Sequence, residues 1–248
     1  MALDSIPDPQ GSQGSNQADV QRVLYGRRMG RPLRPHRQAL VDGLLPTIEL
    51  AVPVSGEFEP PGALFKNSFA DYWLEIGFGG GEHLSWQARA NPEIGIIGCE
   101  PYINGVARLL SDISENDLGN IRIFRDDARL LLAGIPEASF SRIFILFPDP
   151  WPKTRHHKRR LINAQTIPDL ARILRNGGEL RIATDDPSYK GWILRHMLAS
   201  HDFEWQARRP SDWRVRPKDW PPTRYEQKAE KAGRKAAFFS FIRRAGDV

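Results

Sequence analysis

Apolar runs and amphipathic segments alternate along this chain from residue 71 onward. Short apolar runs, typical of strands buried on both faces, occupy residues 71–76, 93–100, 121–124, 141–147, 179–183, 203–207 and 237–242. Segments with apolar residues at helical spacing lie between most of them, at residues 83–90, 102–116, 163–175, 189–199 and 225–232. The alternation predicts an α/β fold with a doubly wound, mostly parallel, seven-stranded sheet. Only a polar loop and a short helix separate the last two strands, so we expect an antiparallel last strand.

A glycine-rich turn follows the first predicted strand. Glu75 lies near the strand end, and Gly77, Gly79 and Gly81 come directly after it. Glycine permits the φ values of a sharp turn and lets a ligand approach the backbone closely. A dinucleotide fingerprint would need a glycine at position 82, where this chain has Glu82. The E-x-G-x-G-x-G spacing instead favours S-adenosylmethionine, a sulfonium cation whose methionine end Glu75 suits.

Acidic residues recur at the carboxyl ends of five successive predicted strands: Glu75, Glu100, Asp127, Asp149 and Asp185. Ligands of parallel α/β sheets bind beyond these ends, so the five should lie near one site. Glu100 can accept hydrogen bonds from both ribose hydroxyls, the role of an acid after the second strand in nucleotide sites. Asp127 can accept from the adenine amino group, with Asp126 as the alternative.

The most specific stretch is FPDPWPKTRHHKRR at residues 147–160. Prolines on both sides of Asp149 stiffen the loop that leaves the fourth strand. Beyond them is a basic cluster made of Lys153, Arg155, Lys158, Arg159 and Arg160, with His156 and His157 among them. The cluster is either a solvated surface loop or a phosphate clamp beside the methyl donor. We interpret the two histidines as RNA-facing, because adjacent histidines do not easily share one tetrahedral ion, and we predict no metal.

A second basic and aromatic stretch spans residues 205–220, with Trp205, Trp213 and Trp220 among its cations. Core packing is the preferred interpretation for Trp205. For Trp213 and Trp220, base stacking and core packing stay open.

Composition narrows the class of protein and the partners. The net charge of +5 over 248 residues favours a polyanionic partner, and the single cysteine, Cys99, is interpreted as a small buried hydrophobe. We find no apolar run of about eighteen residues and no signal-peptide pattern, and we expect a cytoplasmic protein without a membrane span. Residues 1–20 are predicted as a disordered leader, residues 21–37 as a basic N-terminal arm, and residues 38–248 as a single domain with an irregular lead-in up to residue 70.

Six segments together resemble the bacterial tRNA (guanine-N7)-methyltransferases, which are class I methyltransferases of Rossmann-like fold. They are LEIGFGGGE (74–82), GCEPY (98–102), RDDA (125–128), FPDPWPK…KRR (147–160), ATD (183–185) and TRYEQKA (223–229). The resemblance covers residues 34–244. It implies methyl transfer from S-adenosylmethionine to N7 of the variable-loop guanosine, position 46 in tRNA numbering. The chain departs mildly at Arg224 and Tyr225, and the leader before residue 20 has no counterpart.

The resemblance also implies a role for particular positions. Cofactor contacts fall on Glu75, Gly77, Gly79, Glu100, Asp127 and Asp149, and tRNA contacts fall on Lys153, Asp185, Thr223, Arg224, Tyr225 and Glu226. We take Asp149 as the catalytic residue, acting on the cofactor, on the guanine or on both. The partner expected is tRNA, and the protein is expected to be a monomer or a homodimer.

Two alternatives explain part of these observations. A class I methyltransferase with a small-molecule or protein acceptor would use the glycine turn and the acids but leave the basic cluster without a task. A non-catalytic RNA-binding protein on the same fold would have no need of five strand-end carboxylates.

Overall fold

The computed structural model describes residues 27–246, which contain one eight-stranded sheet. Its strands are β1 (Glu49–Leu50), β2 (Asp71–Ile76), β3 (Ile94–Cys99), β4 (Ile121–Phe124), β5 (Phe140–Leu146), β6 (Leu174–Thr184), β7 (Phe203–Trp205) and β8 (Ala237–Arg243). The spatial order is β1-β4-β3-β2-β5-β6-β8-β7. All pairs from β1 to β6 are parallel, and β8 is antiparallel to both β6 and β7. The doubly wound sheet and its antiparallel last strand are confirmed.

Helices cover both faces of the sheet. They are α1 (Pro35–Gly43), α2 (Leu45–Ile48), α3 (Pro61–Leu64), α4 (Glu82–Ala90), α5 (Ile103–Asn116), α6 (Ala128–Gly134), α7 (Thr166–Ile173), α8 (Pro187–Leu198), α9 (Ser211–Arg214) and α10 (Arg224–Lys231), with a 3-10 helix at Thr154–Arg159. Side chains of α4 and α5 pack on one face and those of α6, α7 and α8 on the other. Neighbouring residues of β2, such as Trp73 and Leu74, therefore belong to opposite cores.

Several boundaries differ from the prediction. The eighth strand, β1, and the helices α1 to α3 lie in a stretch predicted to be an irregular lead-in. Strand β6 begins at Leu174, because its first residue pairs with Phe140, whereas the polar and glycine-rich residues 175–178 suggested that a helix ended there. Helix α7 starts late because the Asn163 side chain accepts hydrogen bonds from the Gln165 and Thr166 amides in a turn before it.

The proposed division of the chain is only partly covered by the described residues. The leader at residues 1–20 lies outside them, and the basic arm is described from Arg27 onward. Helix α1 crosses the predicted boundary at residue 37. None of the helices in residues 27–246 is both long enough and apolar enough to cross a bilayer.

Candidate active site

The turn between β2 and α4 needs its glycines. Gly77, Gly79 and Gly81 have φ values of +76°, +58° and +80°, a region that side chains disfavour. The Gly77 and Phe78 amides donate to the Cys99 carbonyl at 2.8 and 3.4 Å, which fixes the turn to the end of β3. A Cβ at Gly79 would also lie 2.8 Å from the Tyr225 ring. The turn is thus a tight backbone surface that is covered by the Tyr225 ring at Gly79 and faces open space at Gly77.

Glu100 joins this turn to the start of α5. Its carboxylate accepts from the Gly79 amide at 2.8 Å and from the Tyr102 amide at 3.0 Å. Burial raises the pKa of Glu100, and the negative charge of Asp149 adds to the effect, while the two backbone donors oppose it. Two carboxylates therefore face one partly desolvated space, which favours a cationic or donor-rich ligand.

The loop after β5 presents Asp149 in a constrained conformation. Phe147 and Trp151, on either side of it, have φ values of +52° and +44°, which cost about 1–3 kcal/mol each for such residues. The loop is anchored where the Phe147 amide donates to the Ala183 carbonyl at 2.8 Å. Partial desolvation raises the pKa of Asp149 above its ordinary value.

These pieces line one cleft at the carboxyl ends of the strands. The cavity, of about 420 Å³, is lined by Gly77, Gly79, Glu100, Asp149 and Tyr225 among others. A smaller cavity of about 130 Å³ adjoins it and is lined by both Asp126 and Asp127. Asp127 caps α6 through the Arg129 amide at 3.0 Å and also accepts from the Arg129 guanidinium.

Glu75 lies behind the cleft instead of lining it. Its side chain is buried, and a carboxylate oxygen is 2.7 Å from Nδ1 of the equally buried His83. Nε2 of His83 is 3.2 Å from the Gln87 amide nitrogen, which also donates to the Asp219 carbonyl at 2.9 Å. The predicted cofactor contact of Glu75 stays a prediction, and its observed partner is a histidine of α4.

Comparison with known proteins identifies the family. A family model described as "Putative methyltransferase" matches residues 70–239. The tRNA (guanine-N(7)-)-methyltransferase of Rhodospirillum rubrum is 50% identical over 223 residues, covering 89% of this chain and 88% of the relative. That of Paramagnetospirillum magneticum is 47% identical over 235 residues, covering 94% of this chain and 98% of the relative. The chain belongs to the tRNA (guanine-N(7)-)-methyltransferase family.

Solved structures match the fold of this family member at low identity. The crystal structure of the 16S rRNA methyltransferase KamB has a TM-score of 0.53 at 12% identity, covering 71% of this chain and 89% of that one. The [4+2]-cyclase SpnF has a TM-score of 0.50 at 16% identity, covering 75% and 79%. A methyltransferase and a cyclase share the architecture, so this likeness concerns the fold alone.

The residues that the family resemblance assigned to tRNA do not all meet in the cleft. Tyr225 lines it, and Lys153 is exposed before the 3-10 helix. Asp185 is paired with Arg234 at 2.6 Å. The remaining three occupy the start of α10: Thr223 caps the helix, Arg224 lies 3.8 Å from Glu82, and buried Glu226 is paired with Arg216 at 3.1 Å.

The basic cluster after Asp149 divides into exposed and buried members. Arg160, predicted as part of the phosphate clamp, is 1% exposed. Its Nε donates to the Pro150 carbonyl at 2.8 Å, and its guanidinium lies over Tyr189 and Trp192 of α8 at 4.9 and 5.0 Å. Arg160 therefore fastens the Asp149 loop to α8, and its inclusion in the clamp was wrong. His157 also packs on Trp192 in a T-shaped contact with ring centroids 5.3 Å apart, so part of its ring is turned to the protein.

The tryptophans of the second basic stretch have different environments. Trp220 is 3% exposed and packs on His83 and Phe238, so core packing is confirmed there. Trp205 packs on Phe239 at 6.3 Å, as expected for a core contact. Trp213 is half-buried and stacks on the same phenylalanine, with an interplanar angle of 23°.

Some residues of the cleft were not singled out from the sequence as site residues: Arg27, Tyr102, Trp151, Arg159 and Leu161. Trp151 and Arg159 could have been predicted from the sequence, because both belong to the specific loop motif. In the structure the Arg159 guanidinium lies 4.9 Å from the Trp151 ring centroid. The pairing of His83 with Glu75 could not be predicted, because a single histidine in an amphipathic helix does not indicate a buried carboxylate partner. Within residues 27–246, histidine, cysteine and acidic residues form no group of three or more that could bind a metal ion.

Proposed function

We propose that this enzyme transfers a methyl group from S-adenosylmethionine to N7 of a guanosine in tRNA, the variable-loop guanosine at position 46. The relatives that match most of the chain are named for methyl transfer to guanine N7 of tRNA. The observation that carries the proposal is the shared cleft, in which the glycine turn, Glu100 and Asp149 meet at the carboxyl ends of the strands.

The residues of the cleft fit the cofactor chemically. A Cβ added at Gly77 would meet nothing within 4 Å, so the space beside this glycine is open to a ligand. Glu100 would hold the ribose hydroxyls and Asp127 the adenine amino group. The family pattern assigns the methionine end to Glu75, which lies behind the cleft on His83. The raised pKa values of Glu100 and Asp149 reflect charge in a desolvated space, which a bound cation would offset.

Little acid–base chemistry is needed. S-adenosylmethionine, when bound, supplies an electrophilic methyl group on a sulfonium. Guanine N7 already has a lone pair on its major-groove edge, so no side chain has to generate the nucleophile. The task of the protein is to align the two reactants, and such alignment is worth roughly 7–11 kcal/mol.

We assign to Asp149 the stabilisation of the transition state. Methylation places positive charge on the purine, and an ionised carboxylate can accept from the guanine N1–H and N2–H₂ as that charge develops. The strained loop holds Asp149 in the wall of the cleft, where it can also approach the cofactor. Asp185, released from Arg234, could accept from the same base edge.

The exposed part of the basic cluster fits tRNA phosphates. Lys153, Arg155 and Lys158 are exposed next to the cleft, and phosphate contacts position folded RNA without reading sequence. The affinity for tRNA should therefore fall steeply as salt rises. Affinity that stays unchanged between low and moderate salt would count against this part of the proposal.

The test is transfer of labelled methyl from S-adenosylmethionine into unmodified tRNA, followed by nuclease digestion and mass spectrometry. We expect 7-methylguanosine in the variable loop, and we expect Asp149→Ala to abolish it. Cofactor binding without transfer to tRNA would favour a different acceptor. Failure to bind the cofactor would refute the proposal.

A further inference from the structure

A second cavity lies beside the cleft, across the first turn of α10. It has a volume of about 880 Å³, and we call it the basic groove because five cations line it together with Trp213: Lys190, Arg214, Arg216, Arg234 and Lys235. Tyr225 lines the cleft and the next residue, Glu226, lines the groove. The two cavities are therefore separated by about one helix diameter, roughly 10 Å.

The charges of the groove are incompletely balanced. Arg216 is paired with Glu226 at 3.1 Å, and Arg234 with Asp185 at 2.6 Å. Among residues 27–246, no carboxylate forms an ion pair with Lys190, Arg214 or Lys235, although the acidic Glu230 also lines the groove. Unpaired cations around one cavity favour an anionic occupant.

Trp213 gives the groove a rigid aromatic wall. Its ring stacks on Phe239 of the central sheet at 6.4 Å, and the Arg214 guanidinium lies 4.6 Å from its centroid. The Lys190 ammonium is 5.7 Å from the same centroid. The turn that leads to α9 is fixed because the Asp212 carboxylate accepts from the Arg208 and Arg209 amides at 3.0 and 3.1 Å. A flat ring beside phosphate-binding cations is the arrangement that proteins use for single-stranded nucleotides.

We propose that the basic groove binds the tRNA nucleotides next to the target guanosine. Their phosphates contact Lys190, Arg214 and Lys235, and a splayed base lies against Trp213. This inference rests on the proposed function for the identity of the RNA. It adds a subsite on the far side of α10, apart from the exposed cluster that follows Asp149.

The first test compares two cations of one helix. Lys190→Ala removes a groove cation, and Arg195→Ala removes an exposed cation of α8 that does not line the groove. In filter binding of tRNA across a salt series, Lys190→Ala should lower the slope of log affinity against log salt by about 1, and Lys190→Ala with Lys235→Ala by about 2. The double variant should weaken binding roughly 10- to 100-fold at about 0.1 M salt, and Arg195→Ala should match the wild type.

The second test addresses the stacked base. Trp213→Phe keeps an aromatic face and should retain tRNA affinity, whereas Trp213→Leu should weaken it roughly 5- to 100-fold. Circular dichroism would check that Trp213→Leu folds, and the lysine variants would still test the groove if it does not. Equal slopes for Lys190→Ala and Arg195→Ala would overturn the inference while leaving wild-type methylation intact. If the groove variants weaken tRNA binding but the wild type does not methylate tRNA, the proposed function is refuted and the inference about the groove stands.

Discussion

Gly105, in the first turn of α5, provides a sharp test of the architecture of the cleft. A Cβ at this position would approach the Gly79 carbonyl far inside 3.0 Å, a separation that real Cβ atoms essentially never show. Ordinary contact begins at 3.4 Å, so Gly105→Ala forces two backbone segments apart by more than an ångström. The matched control is Gly191→Ala in α8, where an added Cβ would meet nothing within 4 Å.

The two variants should change stability in opposite directions. Overpacking costs about 1–3 kcal/mol, and the upper end applies to Gly105→Ala because a carbonyl cannot rotate aside as a side chain can. Replacing glycine by alanine inside a helix returns about 1 kcal/mol, which leaves a net loss of about 2 kcal/mol. In a protein of this size the melting temperature should fall by about 4–8 °C. Gly191→Ala has only the helix-propensity gain and should stabilise by about 0.5–1 kcal/mol.

Cofactor affinity gives the second readout. Moving the turn away from α5 displaces the Gly79 amide from the Glu100 carboxylate, so we expect the Kd for S-adenosylmethionine to rise at least about tenfold in Gly105→Ala. Gly191→Ala should bind as the wild type does. Calorimetry of both variants measures their affinity for the cofactor, and thermal unfolding measures their stability. Equal stability and equal affinity in the two would show that the close packing of α5 on the turn is not what shapes the cleft.

The remaining predictions concern charge and burial. Asp149→Asn should keep cofactor affinity within a few fold yet lower the single-turnover rate by about 10²–10³, and a full rate at saturating substrates would remove Asp149 from catalysis. Burial raises the pKa of Glu100, so this carboxylate should begin to take up a proton above the ordinary pH range of a glutamate. Calorimetry should therefore show the affinity for the cofactor falling as the pH is lowered from about pH 8 to about pH 5, and Glu100→Gln should flatten this dependence. His83→Ala leaves the Glu75 carboxylate buried without its partner and should cost about 3–5 kcal/mol in urea unfolding; Glu75→Gln with His83→Gln should recover part of that loss, and no loss at all would contradict the observed pair.

Strands buried on both faces were predictable because their apolar runs are continuous. The predicted strand at residues 121–124 matches β4 to the residue, and its four side chains are all buried. Strand β1 has two residues, too few to carry a periodic pattern. The early start of β6 arises from pairing with a strand more than thirty residues away, which overrides the local signal of residues 175–178.

The residues of the site also divide into those that the sequence predicts and those whose contacts form only in the folded chain. Parallel strands bring their carboxyl ends to one edge, so strand order alone gathers Glu100, Asp127 and Asp149 there. The burial of Arg160, the pairing of Glu75 with His83 and the contact of Gly105 with the turn depend on elements that meet only after folding. Contacts of this kind leave no local pattern in the sequence.

The most direct measurement of the central claim replaces the nucleophile itself. A tRNA with 7-deazaguanosine at the variable-loop position keeps its shape and its Watson–Crick edge but has carbon in place of N7. We predict that the enzyme binds this tRNA as tightly as the unmodified transcript and transfers labelled methyl to the transcript alone. Methyl transfer to the deaza substrate at the rate of the transcript would contradict the account.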